Sequence, residues 1–199
     1  RTMRTRGWAT RASCSACSCA RDGRLIVTDT LSQVPFDDTR NFDDAQRGLI
    51  APLPADVIAD DQGNTIWDPA KYGFITVGAE TPDTVNPSLW RNAQLINVSG
   101  LFEVVEGLYQ VRNQDLSNMT IIEGTEGITI VDPLVSAETA RVALDLYYAN
   151  RGEKPVKAVI YTHSHVDHYG GVRGVVDEAD VASGAVKIYA PDGFMEAAV

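Results

Sequence analysis

No run of about 18 apolar residues occurs anywhere in this chain, so the sequence contains no membrane-spanning helix. Cysteine is scarce as well. Cys14, Cys17 and Cys19 are the whole complement, grouped near the amino terminus without a fourth ligand beside them, which excludes a paired structural zinc finger and disfavours a metal site there. Residues 1–20 lack the apolar core of a secretory signal and are rich in Arg, Ser, Cys and Ala, a composition that fits neither a signal peptide nor a folded element. Basic charge is missing from the rest: residues 1–24 carry six arginines and one Asp, leaving 11 basic against 26 acidic groups beyond them. An acidic body repels polyanions, which argues against nucleic acid and anionic membrane surfaces as partners. An anionic substrate must then be drawn in by metals or local arginines. With 44% hydrophobic and 22% charged residues, the chain can bury one ordinary core.

Histidine is rare, and its three occurrences are concentrated in one place, Tyr161-Thr162-His163-Ser164-His165-Val166-Asp167-His168-Tyr169-Gly170-Gly171. The spacing H-x-H-x-D-H is a ligand set for zinc or a similar borderline metal. Lys157-Ala-Val-Ile-Tyr-Thr162 is a short β-branched run that reads as a buried strand, so the motif starts where a strand ends. Alternate side chains of extended backbone share a face, which lets His163 and His165 converge on one ion. The chain then turns, and Asp167 and His168 face a second position. Gly170-Gly171 suits a sharp bend with backbone passing close to the metals before a helix begins. The candidate metal ligands are His163, His165, Asp167 and His168, with Asp167 also the candidate catalytic carboxylate.

The remaining sequence reads as mixed α/β. Asp43-Asp-Ala-Gln-Arg-Gly48 predicts a short helix ended by glycine; Ile66-Trp67-Asp68 and Tyr72-Gly-Phe-Ile-Thr76 read as extended pieces. Residues 88–96 have helical spacing that buries Leu89, Ala93 and Ile96. Residues 107–111, 119–123 and 127–131 predict three strands of a meander. Residues 136–150 predict an amphipathic helix with Ser136 as N-cap, Val142, Leu146 and Ala149 on one face, and Gly152 past its end. A strand to Thr162, a helical region through Asp180 and a strand at 186–190 complete the order. Asp132, at a strand end before Pro133, is placed to accept a hydrogen bond from the metal loop or from a ligand histidine, or else to act as a turn residue. Asn118 and Thr120 are weaker candidates for facing the pocket. The division expected is a leader at 1–41, an irregular extension at 42–99 and the first part of a catalytic domain at 100–199.

The loop Thr162-His163-Ser164-His165-Val166-Asp167-His168-Tyr169-Gly170-Gly171 resembles the signature loop of the metallo-β-lactamase superfamily. Further blocks narrow this: Asn86-Pro-Ser-Leu-Trp90-Arg91, the run from Gly100 to Val111, Asp115-Leu-Ser-Asn118, the run from Ile130 to Arg141, and the run from Gly171 to Asp180 together resemble the type III alkylsulfatases, which cleave dodecyl sulfate and related esters. The resemblance covers residues 42–199. It implies the amino-terminal half of an αββα sandwich, two Zn2+ ions, and a place for Asp132 beside the metal loop behind its ligands. It also implies downstream Glu, His and Arg residues that complete the metal and sulfate sites, a homodimer when full length, and a periplasmic or secreted location, with the cytoplasm left open. Two other classes stay in view: a different hydrolase on this scaffold (lactonase, thioesterase or β-lactamase), and a noncatalytic metal-binding or dimerisation subunit.

Overall fold

The computed structural model describes residues 18–19, 25–26 and 36–199. Cys14 and Cys17 lie outside these, as does most of the expected leader. Sixteen strands and helices follow one another in it. Strands β1 (Ser18–Cys19) and β2 (Leu25–Ile26) pair antiparallel. Helix α1 (Arg40–Gln46) precedes β3 (Leu49–Ala51), β4 (Ile58–Ala59) and β5 (Thr65–Trp67), the last two forming a small hairpin. After α2 (Pro87–Ile96) come β6 (Gly100–Val105), β7 (Leu108–Arg112), β8 (Met119–Glu123) and β9 (Ile128–Val131). Helix α3 (Ala137–Arg151), β10 (Val156–Ile160), α4 (Glu178–Ser183), β11 (Lys187–Tyr189) and α5 (Phe194–Ala198) finish the chain.

The main sheet has seven strands in the order β11-β10-β9-β8-β7-β6-β3. Strands β6 to β9 form an antiparallel meander, whereas β10 and β11 run parallel to β9. This is an α/β fold in which a meander passes into β-α-β. Strand β6 adds a fourth member to the three expected meander strands, and β3, from the segment expected as an extension, closes the edge. Alternation along the meander buries one face: Tyr109, Ile121, Ile130 and Val159 lie side by side, and α3 covers them with Ala140, Ala143, Leu144 and Tyr147. The helix is held at its start by a capping box, with the Ser136 hydroxyl accepting the Thr139 N–H at 3.2 Å and Gly152 (φ +83°) ending it.

Two helical faces differ from expectation. In α3 the buried stripe runs through Thr139, Ala140, Ala143, Leu144 and Tyr147, while Ala149 is exposed. The shift from 142 and 146 to 143 and 147 is one residue, about 100° of helix rotation. Tyr147 drives it, because its ring supplies more buried area than Leu146 and its hydroxyl reaches Glu123 at 2.7 Å. In α2, Leu89 and Ile96 are exposed and the buried residues are Trp90 and Gln94. Here the helix docks on the carbonyls of a loop. Trp90 Nε1 donates to Ala79 O at 3.0 Å, Gln94 Nε2 to Thr76 O at 2.7 Å, and Asn97 Nδ2 to Ile75 O at 2.8 Å. Hydrogen-bonding capacity therefore outranks hydropathy at this contact. Residues 72–76, expected as extended, follow a 3-10 turn at Pro69–Tyr72 and form turns.

Candidate metal centre

The parallel pairing of β9 and β10 builds the site. Val131 is opposite Ile160, so the residues leaving both strands emerge together at their carboxyl ends, where open α/β sheets place ligands. The Asp132 N–H donates to Ile160 O at 3.0 Å, and the Asp132 side chain then meets the start of the histidine loop. Its Oδ1 accepts the Thr162 N–H at 2.8 Å; its Oδ2 accepts the Thr162 hydroxyl at 2.7 Å and faces His168 Nδ1 at 2.8 Å. Asp132 and Leu134 both adopt left-handed backbone (φ +56° and +66°), strain of about 1–2 kcal/mol each. Both are buried, and the packing around them holds the bend.

This carboxylate sets two imidazoles. An ionised Asp132 only accepts, so His168 donates from Nδ1 and keeps a lone pair on Nε2. The Thr162 hydroxyl gives its one proton to Asp132 and lies 3.0 Å from His163 Nδ1, so it accepts from that nitrogen and leaves His163 Nε2 as an acceptor too. Thr162 is a residue to which the sequence reading gave no role; its only signal was adjacency to the first histidine.

The free nitrogens face partners. His163 Nε2 is 3.1 Å from His165 Nδ1, and His168 Nε2 is 3.2 Å from Asp167 Oδ2. The ring centroids of His163 lie 4.7 Å from His165 and 4.0 Å from His168. Among the described residues, no group of three or more His, Cys, Asp or Glu side chains is placed to hold a metal ion by itself. Neighbouring ligand atoms on a tetrahedral zinc are about 3.3 Å apart, given Zn–N distances near 2.0–2.1 Å. Each donor pair therefore has the separation of one edge of a ligand shell, and the donor chemistry fits zinc. Asp167 and His168 sit in the 3-10 turn Val166–His168; His163 and His165 are exposed, and His168 retains 22% side-chain exposure. Burial pushes the hydroxyl of Tyr161, just before the loop, up to about 12, so it stays neutral through the working range.

The glycines after the motif do something other than bend. Neither Gly170 nor Gly171 has positive φ. A Cβ on Gly171 would lie 2.0 Å from Pro133 O, and one on Gly170 would lie 2.3 Å from Val135 O, so their role is to let the metal loop press backbone to backbone against residues 133–137. Asn118 and Thr120 are engaged locally: Asn118 Oδ1 accepts the Asn113 N–H at 3.3 Å, and Thr120 Oγ1 accepts Gln110 Nε2 at 3.2 Å.

A parallel strand pair carrying a histidine-rich loop at its carboxyl end defines a class. Residues 112–199 match the metallo-beta-lactamase superfamily. Within it the similarity is to alkylsulfatases. The chain is 70% identical over 181 residues to a linear primary-alkylsulfatase of Pseudomonas sp., covering 90% of this chain and 27% of that protein. It is 54% identical over 171 residues to an (R)-specific secondary-alkylsulfatase of Pseudomonas sp., covering 86% of this chain and 26% of that one. The solved structure of the stereoselective inverting sec-alkylsulfatase from Pseudomonas sp. superposes with a TM-score of 0.78 at 55% identity, over 85% of this chain and 26% of that one. The chain thus spans about a quarter of the length of these relatives. The superfamily match implies a metal, typically zinc.

Proposed function

We propose that the intact protein hydrolyses alkyl sulfate esters of the dodecyl sulfate type to an alcohol and inorganic sulfate, using two Zn2+ ions. The observation that carries this is the pair of donor edges, His163 Nε2 with His165 Nδ1 and His168 Nε2 with Asp167 Oδ2, at the spacing of ligand shells. The identity to a primary- and a secondary-alkylsulfatase supports the substrate class. His163 and His165 hold the first ion, and Asp167 and His168 the second. When bound, the ions supply an activated water and positive charge for the sulfate oxygens. This chain's residues prepare the site: Asp132 holds the His168 ring directly and the His163 ring through Thr162, so both rings present Nε2 before any ion arrives. Asp167 adds an anionic ligand and offsets part of the cationic charge.

Inversion in the solved relative means attack at carbon, since cleavage at sulfur leaves the alcohol carbon untouched. The same C–O cleavage is proposed here. The proposal also includes a homodimer, a periplasmic or secreted location, and the division at residues 41 and 99. The test is one set of assays on the intact protein. Elemental analysis is expected to find about two zincs per chain, with one lost in His168→Ala. Sulfate release from dodecyl sulfate should exceed hydrolysis of nitrocefin, a lactone and a thioester, and should fall by orders of magnitude in Asp167→Asn. In water enriched with oxygen-18 the label should enter the alcohol. Turnover of nitrocefin, lactone or thioester without sulfate release would move the protein to another hydrolase class.

A further inference from the structure

The loop between β7 and β8 reaches the metal loop from a distant part of the sequence. Asp115, 4% exposed, accepts the Ser117 N–H at Oδ1 (3.1 Å), an Asx turn that fixes where Ser117 points. Its Oδ2 accepts the Val135 N–H at 3.0 Å and the hydroxyl of Thr139 at 2.6 Å, tying the loop to the start of α3. Ser117, 8% exposed, then donates its hydroxyl to the Asp167 carbonyl at 2.5 Å, across 50 residues of sequence. No backbone N–H among the described residues claims that carbonyl. His168 N–H goes to His165 O, Tyr169 and Gly170 N–H go to Val166 O, and Gly171 N–H goes to Leu134 O.

The Asp167 carbonyl belongs to the peptide that joins Asp167 to His168. The position of that peptide sets the two Cα atoms from which the Asp167 carboxylate and the His168 imidazole depart, and these two side chains form the second donor edge at 3.2 Å. His163 and His165 lie before this peptide, and the His163 ring is oriented through Thr162, without Ser117. We infer that Ser117, aimed by Asp115, is a positioning residue for one ion only: it locks the Asp167–His168 peptide and so selects the affinity of the second metal position. This inference rests on the two-metal reading above.

The experiment is zinc titration of the intact protein against a chromophoric chelator, with Ser117→Ala and Ser117→Thr beside wild type. A lost group that orients metal ligands lowers affinity by about ten- to a hundredfold. Ser117→Ala is expected to weaken one of two zinc sites by that factor and leave the other within about twofold, and Ser117→Thr, which keeps the hydroxyl, to restore it. In the metal-free protein, amides 166–170 should exchange faster in Ser117→Ala than in wild type, while those of β8 and α3 should not. Equal weakening of both sites, or no change in either, overturns the inference while leaving the two-metal reading standing. Wild-type protein that binds no zinc overturns both. Should Ser117→Ala fail to fold, the same comparison is made with Ser117→Thr against its hydroxyl-free isostere Ser117→Val, and equal zinc affinities in those two would overturn it.

Discussion

Tyr109 lies wholly inside the core, its ring 5.7 Å from that of Tyr147 and 4.8 Å from the Arg151 guanidinium. Its hydroxyl has no hydrogen-bond partner among the described residues. An unmade hydrogen bond on a buried donor costs about 1–3 kcal/mol, whereas the ring's packing is unaffected by the oxygen. Tyr109→Phe is therefore expected to raise stability by roughly 1 kcal/mol, read as a higher urea midpoint at unchanged slope; a lower midpoint would mean that the hydroxyl has a partner after all. The Tyr147 hydroxyl is the opposite case. Burial and its hydrogen bond to Glu123 push it well above the ordinary tyrosine range, so it donates at every working pH.

Among the elements, the segment after the histidine motif is the least tolerant. Residues 170–174 run against residues 133–140, and an added Cβ at Gly174 would lie 2.0 Å from Ala137 O, a backbone atom that cannot swing aside. Gly174→Ala is expected to destabilise by roughly 3 kcal/mol or more. Gly184, past the end of α4, is a useful contrast: its φ of +78° is strained for Ala, but open space surrounds it. Gly184→Ala should cost only about 1–2 kcal/mol. Urea unfolding of both variants separates close approach from backbone strain, and equal losses would contradict the packing argument. The faces of α2 and α3 teach a related lesson. Ser136, Gly152 and the helix spans were legible because caps and periodicity are local, but which stripe is buried depends on the partner. The loop 75–79 asks α2 for Trp90, Gln94 and Asn97 as donors, and the sheet asks α3 for Tyr147, which hydropathy alone passed over.

At the scale of the molecule, Glu123 joins the sheet to both ends of the α3–β10 connection. It accepts from Tyr147, pairs with Lys154 at 2.9 Å and lies 3.7 Å from Arg151. Burial alone would raise its carboxyl; the hydrogen bonds from Tyr147 and Lys154 and the charges of Lys154 and Arg151 outweigh that and hold it below the ordinary carboxylate range. A lowered folded value means stability that is present above the unfolded carboxyl's range and lost as pH falls through the folded one. Glu123→Gln is expected to cost roughly 1–2 kcal/mol near neutrality and progressively less in acid, so the melting curves of variant and wild type should converge there. A constant gap would assign the loss to packing instead. No helix among the described residues is long and apolar enough to cross a membrane.

The sequence by itself determined which residues are candidate metal donors and where they lie in the chain. His163, His165, Asp167 and His168 are adjacent residues whose donor types and spacing carry their meaning locally, and the β-branched run before them announces a strand end. It also determined most element spans and Asp132 as a candidate, since a carboxylate at a strand end before proline is a local pattern. The tertiary structure alone decided what holds these groups. Asp132 meets Thr162 and His168 because β9 and β10 pair in parallel with Val131 opposite Ile160, a register set by the crossover of α3 and the packing beneath it. Ser117 meets Asp167 because the meander folds its β7–β8 loop onto the same edge, 50 residues away in the chain. Such contacts have no local signature: they follow from long-range pairing and burial, which only the assembled sheet provides.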